Sequence, residues 1–131
     1  MLGVDSRVIF AGSRDDVPRI LLSAMNVFIF PSLWEGLPLT LIEAQAAGLR
    51  CIVSESVTAE VSLGGCTYLP LSIGAGAWAD VLLKNLELGR CTSGYESVCS
   101  SAFSLPASLS SLLSFYEKAY KRVVDSRKAA F

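Results

Sequence analysis

Short apolar runs alternate along this chain with longer stretches in which apolar residues recur at three and four. Val27-Phe28-Ile29-Phe30 and Cys51-Ile52-Val53 are continuous runs rich in β-formers, the pattern of strands covered on both faces of a parallel sheet. Arg7-Val8-Ile9-Phe10, ended by Ala11-Gly12, and Thr67-Tyr68-Leu69 read as two further short strands. Helical stretches lie between them. Val17 to Ala24 follows Ser13, Asp15 and Asp16, helix-start residues whose acids suit the positive end of a helix dipole. Leu37 to Ala47 has Pro38 near its first turn and Gly48 just past its end. Ala75 to Leu88 puts Trp78, Val81, Leu82 and Leu86 on one side. Pro106 to Val124 carries an apolar stripe through Leu109, Leu112, Leu113, Tyr116, Tyr120, Val123 and Val124. On this reading Tyr116 and Tyr120 belong to a core. Gly89 to Ser101, rich in Ser, Gly and Cys, reads as a surface connection.

Strands alternating with helices predict an α/β fold, a Rossmann-like parallel sheet with flanking helices and right-handed crossovers. Composition supports a dense core rather than disorder: the 131 residues are 52% hydrophobic and 18% charged. The net charge of −1 offers no electrostatic footprint for nucleic acid. No histidine is present, which removes the usual general base near neutral pH and the commonest metal ligand. Cys51, Cys66, Cys91 and Cys99 form no CxxC pair, and no apolar run is long enough to span a bilayer. A reducing, cytoplasmic setting is the default reading of such cysteines, with Cys51 packed as a small hydrophobe.

The chemistry concentrates around Val27–Gly48. A strand, a turn and a helix in that order place a loop and a helix N-terminus at the carboxyl edge of the sheet, where open α/β folds bind ligands. The N–H groups of Gly36, Leu37 and Leu39 at the helix start favour an anion, and Pro38 contributes none. Every helix has a start, so this alone is weak. Glu35 lies in the turn. Glu43 lies in a helix otherwise almost free of charge, which suggests burial on most sides; pointing along a solvated groove or pairing with an arginine is the alternative. Trp34 either stacks on a ligand ring or, the simpler reading, packs beside the loop. Ser32 can hydrogen-bond a ligand, but without a histidine nothing marks it as a nucleophile.

The run from Phe30 to Gly48, FPSLWEGLPLTLIEAQAAG, closely resembles glycosyltransferase family 4, retaining enzymes of GT-B architecture that use nucleotide-sugar donors. Glu35 and Glu43, separated by seven residues, match the family's glutamate pair, and Arg7–Gly12, Asp16–Leu21 and Cys51–Ser54 resemble its flanking elements. The likeness is to the branch that builds bacterial capsular and exopolysaccharides. It implies roles: Glu43 holds the ribose hydroxyls, Glu35 sits beside the donor hexose as the catalytic carboxylate, and Ser32, Gly36, Leu37 and Leu39 complete the donor site. It implies no metal and no cofactor, a nucleotide-sugar such as a UDP-sugar as donor, and a polysaccharide or membrane-associated, lipid-linked acceptor. The corresponding location is cytoplasmic, extending to the inner face of the cell membrane. A non-catalytic remnant or interaction module with the same α/β fold is the alternative reading.

Two departures from the family pattern stand out. Arg50 occupies the position where the family usually has proline. The resemblance also makes residues 1–131 a partial C-terminal nucleotide-sugar-binding domain, an incomplete half of a GT-B enzyme. The acceptor-binding N-terminal domain and the first two strands of the donor domain, with their diphosphate-binding Arg and Lys, are not in this sequence. In a doubly wound order those two strands belong between Val8–Phe10 and Val27–Phe30. The expectation is a chain that is catalytically incomplete by itself and is completed by the missing domain or a complementary chain.

Overall fold

A computed structural model describes residues 3–128, and its centre is a three-stranded parallel sheet. The strands are β1 (Val27–Phe30), β2 (Arg50–Ser54) and β3 (Cys66–Leu69), in the spatial order β1-β2-β3. Val27 to Phe30 pair with Arg50 to Val53, and Cys51 to Ser54 pair with Cys66 to Leu69. Central β2 is buried from Cys51 to Ser54, as its unbroken apolar run predicts.

Side chains alternate between the two faces of each strand, so the register assigns them. Phe28, Phe30, Cys51, Val53, Cys66 and Tyr68 pack together with Leu21 of α1 (Val17–Ser23) and Leu41, Ile42 and Ala44 of α2 (Leu39–Ala46). The Phe28 and Phe30 rings stack at 5.9 Å between centroids. Ile29 and Ile52, paired in register, face the other way, where α3 (Gly74–Leu88) crosses β1 and β2. The fold is therefore a small sheet with helices on both faces.

Gly48 ends α2 in the left-handed conformation at φ 77°, with its N–H bonded to the Gln45 carbonyl and that of Leu49 to Ala44. Gln45 is the buried polar exception inside α2. Its amide donates to the carbonyls of Leu41 at 3.0 Å and Val61 at 2.8 Å, and its Oε1 accepts from the Leu63 N–H at 2.7 Å. One bond stays within α2 and two reach the loop that returns to β3, so the amide is fully partnered and its burial is tolerated. Arg50 turns toward the end of α3 and donates from Nε to the Gly89 carbonyl at 2.9 Å.

Three sequence expectations are overturned. Arg7–Phe10 is not a strand: Asp5–Arg7 forms a single 3-10 turn, and the segment after it joins no ladder, leaving Ile9 89% and Phe10 95% exposed. A strand exists only by pairing, and no described segment stands beside it. Gly89–Ser101 is not a mere surface connection. It contains α4 (Gly94–Cys99), laid against α2 so closely that a Cβ on Gly94 would overlap the Gln45 carbonyl oxygen. The apolar stripe of the last helix, α5 (Leu105–Lys128), is not core, and Tyr116 and Tyr120 are exposed. No described element packs along it.

Candidate functional site

The chain leaves β1 at Phe30 and reaches α2 through Pro31–Pro38. Apolar Pro38 is buried and occupies the N-cap position, where it offers neither an N–H nor a side-chain acceptor. The first helical bond runs from the Leu41 N–H to the Pro38 carbonyl at 3.1 Å. Among the described residues, the N–H groups of Gly36, Leu37 and Leu39 have no hydrogen-bond partner. The helix start therefore presents free donors, together with the positive end of its dipole, at the carboxyl edge of the sheet.

Ser32 and Glu35 come together: the Ser32 hydroxyl donates to Glu35 Oε1 at 2.6 Å. Ser32 is half-buried and Glu35 is exposed, so the serine fixes a carboxylate that otherwise faces water. A charge-assisted bond of this kind is about twice as strong as a neutral one. Trp34 is 90% exposed, which overturns the expectation that it packs beside the loop.

Glu43 follows Leu39 by one turn on the same side of α2. It is exposed, which sets aside burial and agrees with the other reading, a carboxylate along a solvated groove. The reason is its position on the helix. Leu41, Ile42, Ala44 and Gln45 take the inward positions, and Glu43 falls on the outward one between them. It lines a cleft of about 260 Å³ with Pro18 and Leu22 of α1, Ala46 of α2 and Tyr95 of α4. Asp16, read as a helix-start residue, does take the N-cap position of α1, but its carboxylate caps nothing. It pairs instead with the Arg14 guanidinium at 2.7 Å, which lowers the Asp16 pKa from its ordinary value. Among the described residues this is the only ion pair, so neither Glu35 nor Glu43 has a cationic partner there.

A second cavity, about 390 Å³, opens on the opposite side of β1 between Ile29, Pro31 and the α3 residues Ala75, Trp78 and Leu82. Its lining is almost wholly apolar. The Trp78 indole N–H is already committed to the Pro70 carbonyl at 3.1 Å, so this cavity lacks the convergent polar groups of the Glu35–Glu43 edge.

Sequence reasoning passed over Arg90, which sets the frame behind the site. Its guanidinium donates to the carbonyls of Leu21 at 2.9 Å, Met25 at 2.7 Å and Ala47 at 2.6 Å. It thereby ties the C-terminal ends of α1 and α2, the two helices that flank the Glu43 cleft. A cation suits carbonyls at a helix C-terminus. Its one signal in the sequence is a lone arginine within a stretch of small polar residues, too little to name its partners.

The family model described as glycosyl transferases group 1 matches residues 1–87. EpsF of Bacillus subtilis (strain 168), provisionally named a glycosyltransferase, is 42% identical over 87 residues, 65% of this chain and 22% of that protein. The UDP-Gal:alpha-D-GlcNAc-diphosphoundecaprenol alpha-1,3-galactosyltransferase of Escherichia coli is 51% identical over 53 residues, covering 40% and 13% of the two chains. The lipopolysaccharide core biosynthesis mannosyltransferase LpsB of Rhizobium meliloti (strain 1021) is 31% identical over 74 residues, covering 56% and 21%. The matched part of this chain thus spans about a fifth or less of each of these relatives. No solved structure matches it.

Proposed function

Because the chain belongs to the glycosyl transferases group 1 family, we propose that it is the donor-binding part of a retaining hexosyltransferase that uses a nucleotide-sugar, a UDP-sugar in the first instance. The observation that carries the reading is the pair of exposed carboxylates, Glu35 and Glu43, on either side of a helix start with free N–H donors. A nucleoside diphosphate sugar needs these groups in this order. The diphosphate takes the N–H groups of Gly36, Leu37 and Leu39, and Glu43, one turn along, accepts from the ribose diol. Each charge-assisted bond contributes about 1.5–3 kcal/mol. Glu35, steadied by Ser32, accepts from hydroxyls of the donor hexose, where transfer takes place. No metal enters this reading.

Transfer itself requires an acceptor, which the resemblance assigns to an N-terminal domain, and cations at the leaving diphosphate, which it assigns to the first two strands of the donor domain. The acceptor class is the one the resemblance implies, a polysaccharide or a lipid-linked saccharide, and the name of the Escherichia coli relative, with its diphosphoundecaprenol acceptor, supports the second. The names of two relatives specify different sugars, galactose and mannose, so likeness to them assigns no particular hexose to this chain.

Titration calorimetry tests the donor site. The protein binds UDP or a UDP-sugar, and Glu43→Ala weakens that binding at least about tenfold through loss of the diol contacts. Equal affinity of the two proteins refutes the role of Glu43. A ligand at about one hundred times its Kd stabilises the native state by about 2.7 kcal/mol, so a thermal shift accompanies binding. No shift with any nucleotide-sugar supports the alternative, a module that keeps the fold without ligand binding.

A further inference from the structure

β2 and β3 each carry a cysteine at the same level of the sheet. Cys51 and Cys66 are direct register partners, and both side chains fall on the face packed by α2. Neighbouring strands stand about 4.7–4.9 Å apart. That places the two Cα atoms within the range of about 4.4–6.8 Å that a disulfide spans, with both Cβ atoms pointing the same way. Both thiols are nevertheless free. Among the described residues, no third Cys, His, Asp or Glu joins them in a group that could hold a metal, so the chemistry open to the pair is that of a dithiol.

The two thiols differ in access. Cys51 is fully buried in central β2, out of reach of a dissolved reagent, whereas Cys66 on edge strand β3 is half-buried. β3 is the edge away from β1, and the resemblance places further strands beyond β1, so access to Cys66 does not depend on them. The neighbouring Cys51 thiol and the Ser62 hydroxyl lower the Cys66 pKa against the upward pull of burial. The Cys66 thiol and burial push Cys51 up in turn. Cys66 therefore supplies the thiolate, and Cys51 holds its proton.

We propose that Cys51 and Cys66 form a redox-active dithiol that closes to a disulfide by exchange with a small-molecule disulfide of the glutathione class. The Cys66 thiolate attacks one sulfur of the oxidant, forming a mixed disulfide and releasing a thiolate that takes up the proton Cys66 has lost. The Cys51 sulfur then attacks that of Cys66, and its proton leaves with the second thiol. Two cysteine thiols are oxidised and one disulfide is reduced to two thiols. The second step is intramolecular, which is how a cysteine closed to solvent takes part. Strand spacing holds the two Cβ atoms near or beyond the upper end of the range of about 3.5–4.5 Å that disulfides prefer, and such strain makes a bond easier to reduce. In a reducing compartment the pair rests as a dithiol and closes when the oxidised share rises. Closure bears on α2, because Gln45 holds the loop that leads to Cys66 through the Val61 carbonyl and the Leu63 N–H. The proposal rests on the β2–β3 pairing and is independent of the donor site.

Oxidation of the full chain carrying Cys91→Ser and Cys99→Ser tests it, since Cys51 and Cys66 are then its only thiols. After oxidised glutathione the mass falls by two hydrogens and no glutathione is retained. Non-reducing peptide mapping finds one pair of peptides, joined through Cys51 and Cys66, and dithiothreitol restores the starting mass. With Cys51→Ala added, Cys66 keeps one glutathione, because nothing resolves it. The crosslink itself is read without altering either strand. A glutathione adduct that persists on Cys66 beside an intact Cys51, a link between two chains rather than within one, or reaction only after urea unfolds the chain would each overturn the proposal.

Discussion

Replacing Arg90 with methionine removes one side chain and releases three backbone carbonyls. The guanidinium reaches Leu21, Met25 and Ala47 at 2.6–2.9 Å, so no distance leaves room for an intervening water. Bonds from a charged donor contribute about 1.5–3 kcal/mol each, which for three bonds sets an upper limit of several kcal/mol. Two effects reduce it. Arg90 is only half-buried, and water reaches part of what it leaves behind; methionine also retains much of the apolar stem. A loss of about 2–4 kcal/mol remains, a large share of the 5–15 kcal/mol typical of a domain. In urea, with m of about 2 kcal/mol/M, the midpoint falls by about 1–2 M. Arg90→Lys is intermediate, because an ammonium cannot reach carbonyls on two helix ends with the planar fork of a guanidinium. Two outcomes would refute the reasoning: a midpoint within about 0.25 M of the parent, or Lys performing as well as Arg. The first would mean that solvent satisfies these carbonyls as well as the guanidinium does. Since α1 and α2 flank the Glu43 cleft, Arg90→Met should also weaken any nucleotide binding more than its distance from the ligand suggests.

Two glycines should respond in opposite directions. Gly94→Ala drives a Cβ into the Gln45 carbonyl and within 3.0 Å of the Gly48 Cα, and backbone atoms cannot yield, so it destabilises by about 1–3 kcal/mol. Gly76→Ala sits inside α3 with open space around it and gains about 0.5–1 kcal/mol, both read from urea midpoints. The thiols should alkylate in a set order at pH 7, checked by mass mapping after iodoacetamide. The Ser93 hydroxyl, 3.4 Å from Cys91 Sγ, lowers that thiol's pKa, which raises its thiolate fraction and reactivity. Cys51, whose pKa is pushed up by the neighbouring Cys66 thiol and by burial, reacts only on unfolding; labelling of Cys51 at the rate of Cys91 contradicts the assignment.

The stretch from Val27 to Gly48 was legible because its signals are local. Four consecutive apolar β-formers, a proline at the helix entry and a glycine at its exit each act within a few residues, and β1, α2 and the positive φ of Gly48 follow from them. The run from Phe30 to Gly48 that holds Glu35 and Glu43 is equally local, and that whole run, rather than the spacing of the two glutamates, carried the resemblance to the family. Burial was another matter. Glu43 faces outward although its neighbours in sequence are apolar, because exposure depends on what stands across from each side of the helix. The Arg7–Phe10 run has a strand's composition and no strand's structure, since pairing is a property of two segments and only one is there. The stripe of α5 has a core helix's periodicity and no core to enter. Arg90 joins carbonyls 43, 65 and 69 residues away, a clamp that no window along the chain contains. The sequence by itself determined which elements form and which residues carry the candidate chemistry. The tertiary structure alone decided which of them meet and which face water, because those depend on contacts between parts of the chain that are distant in sequence.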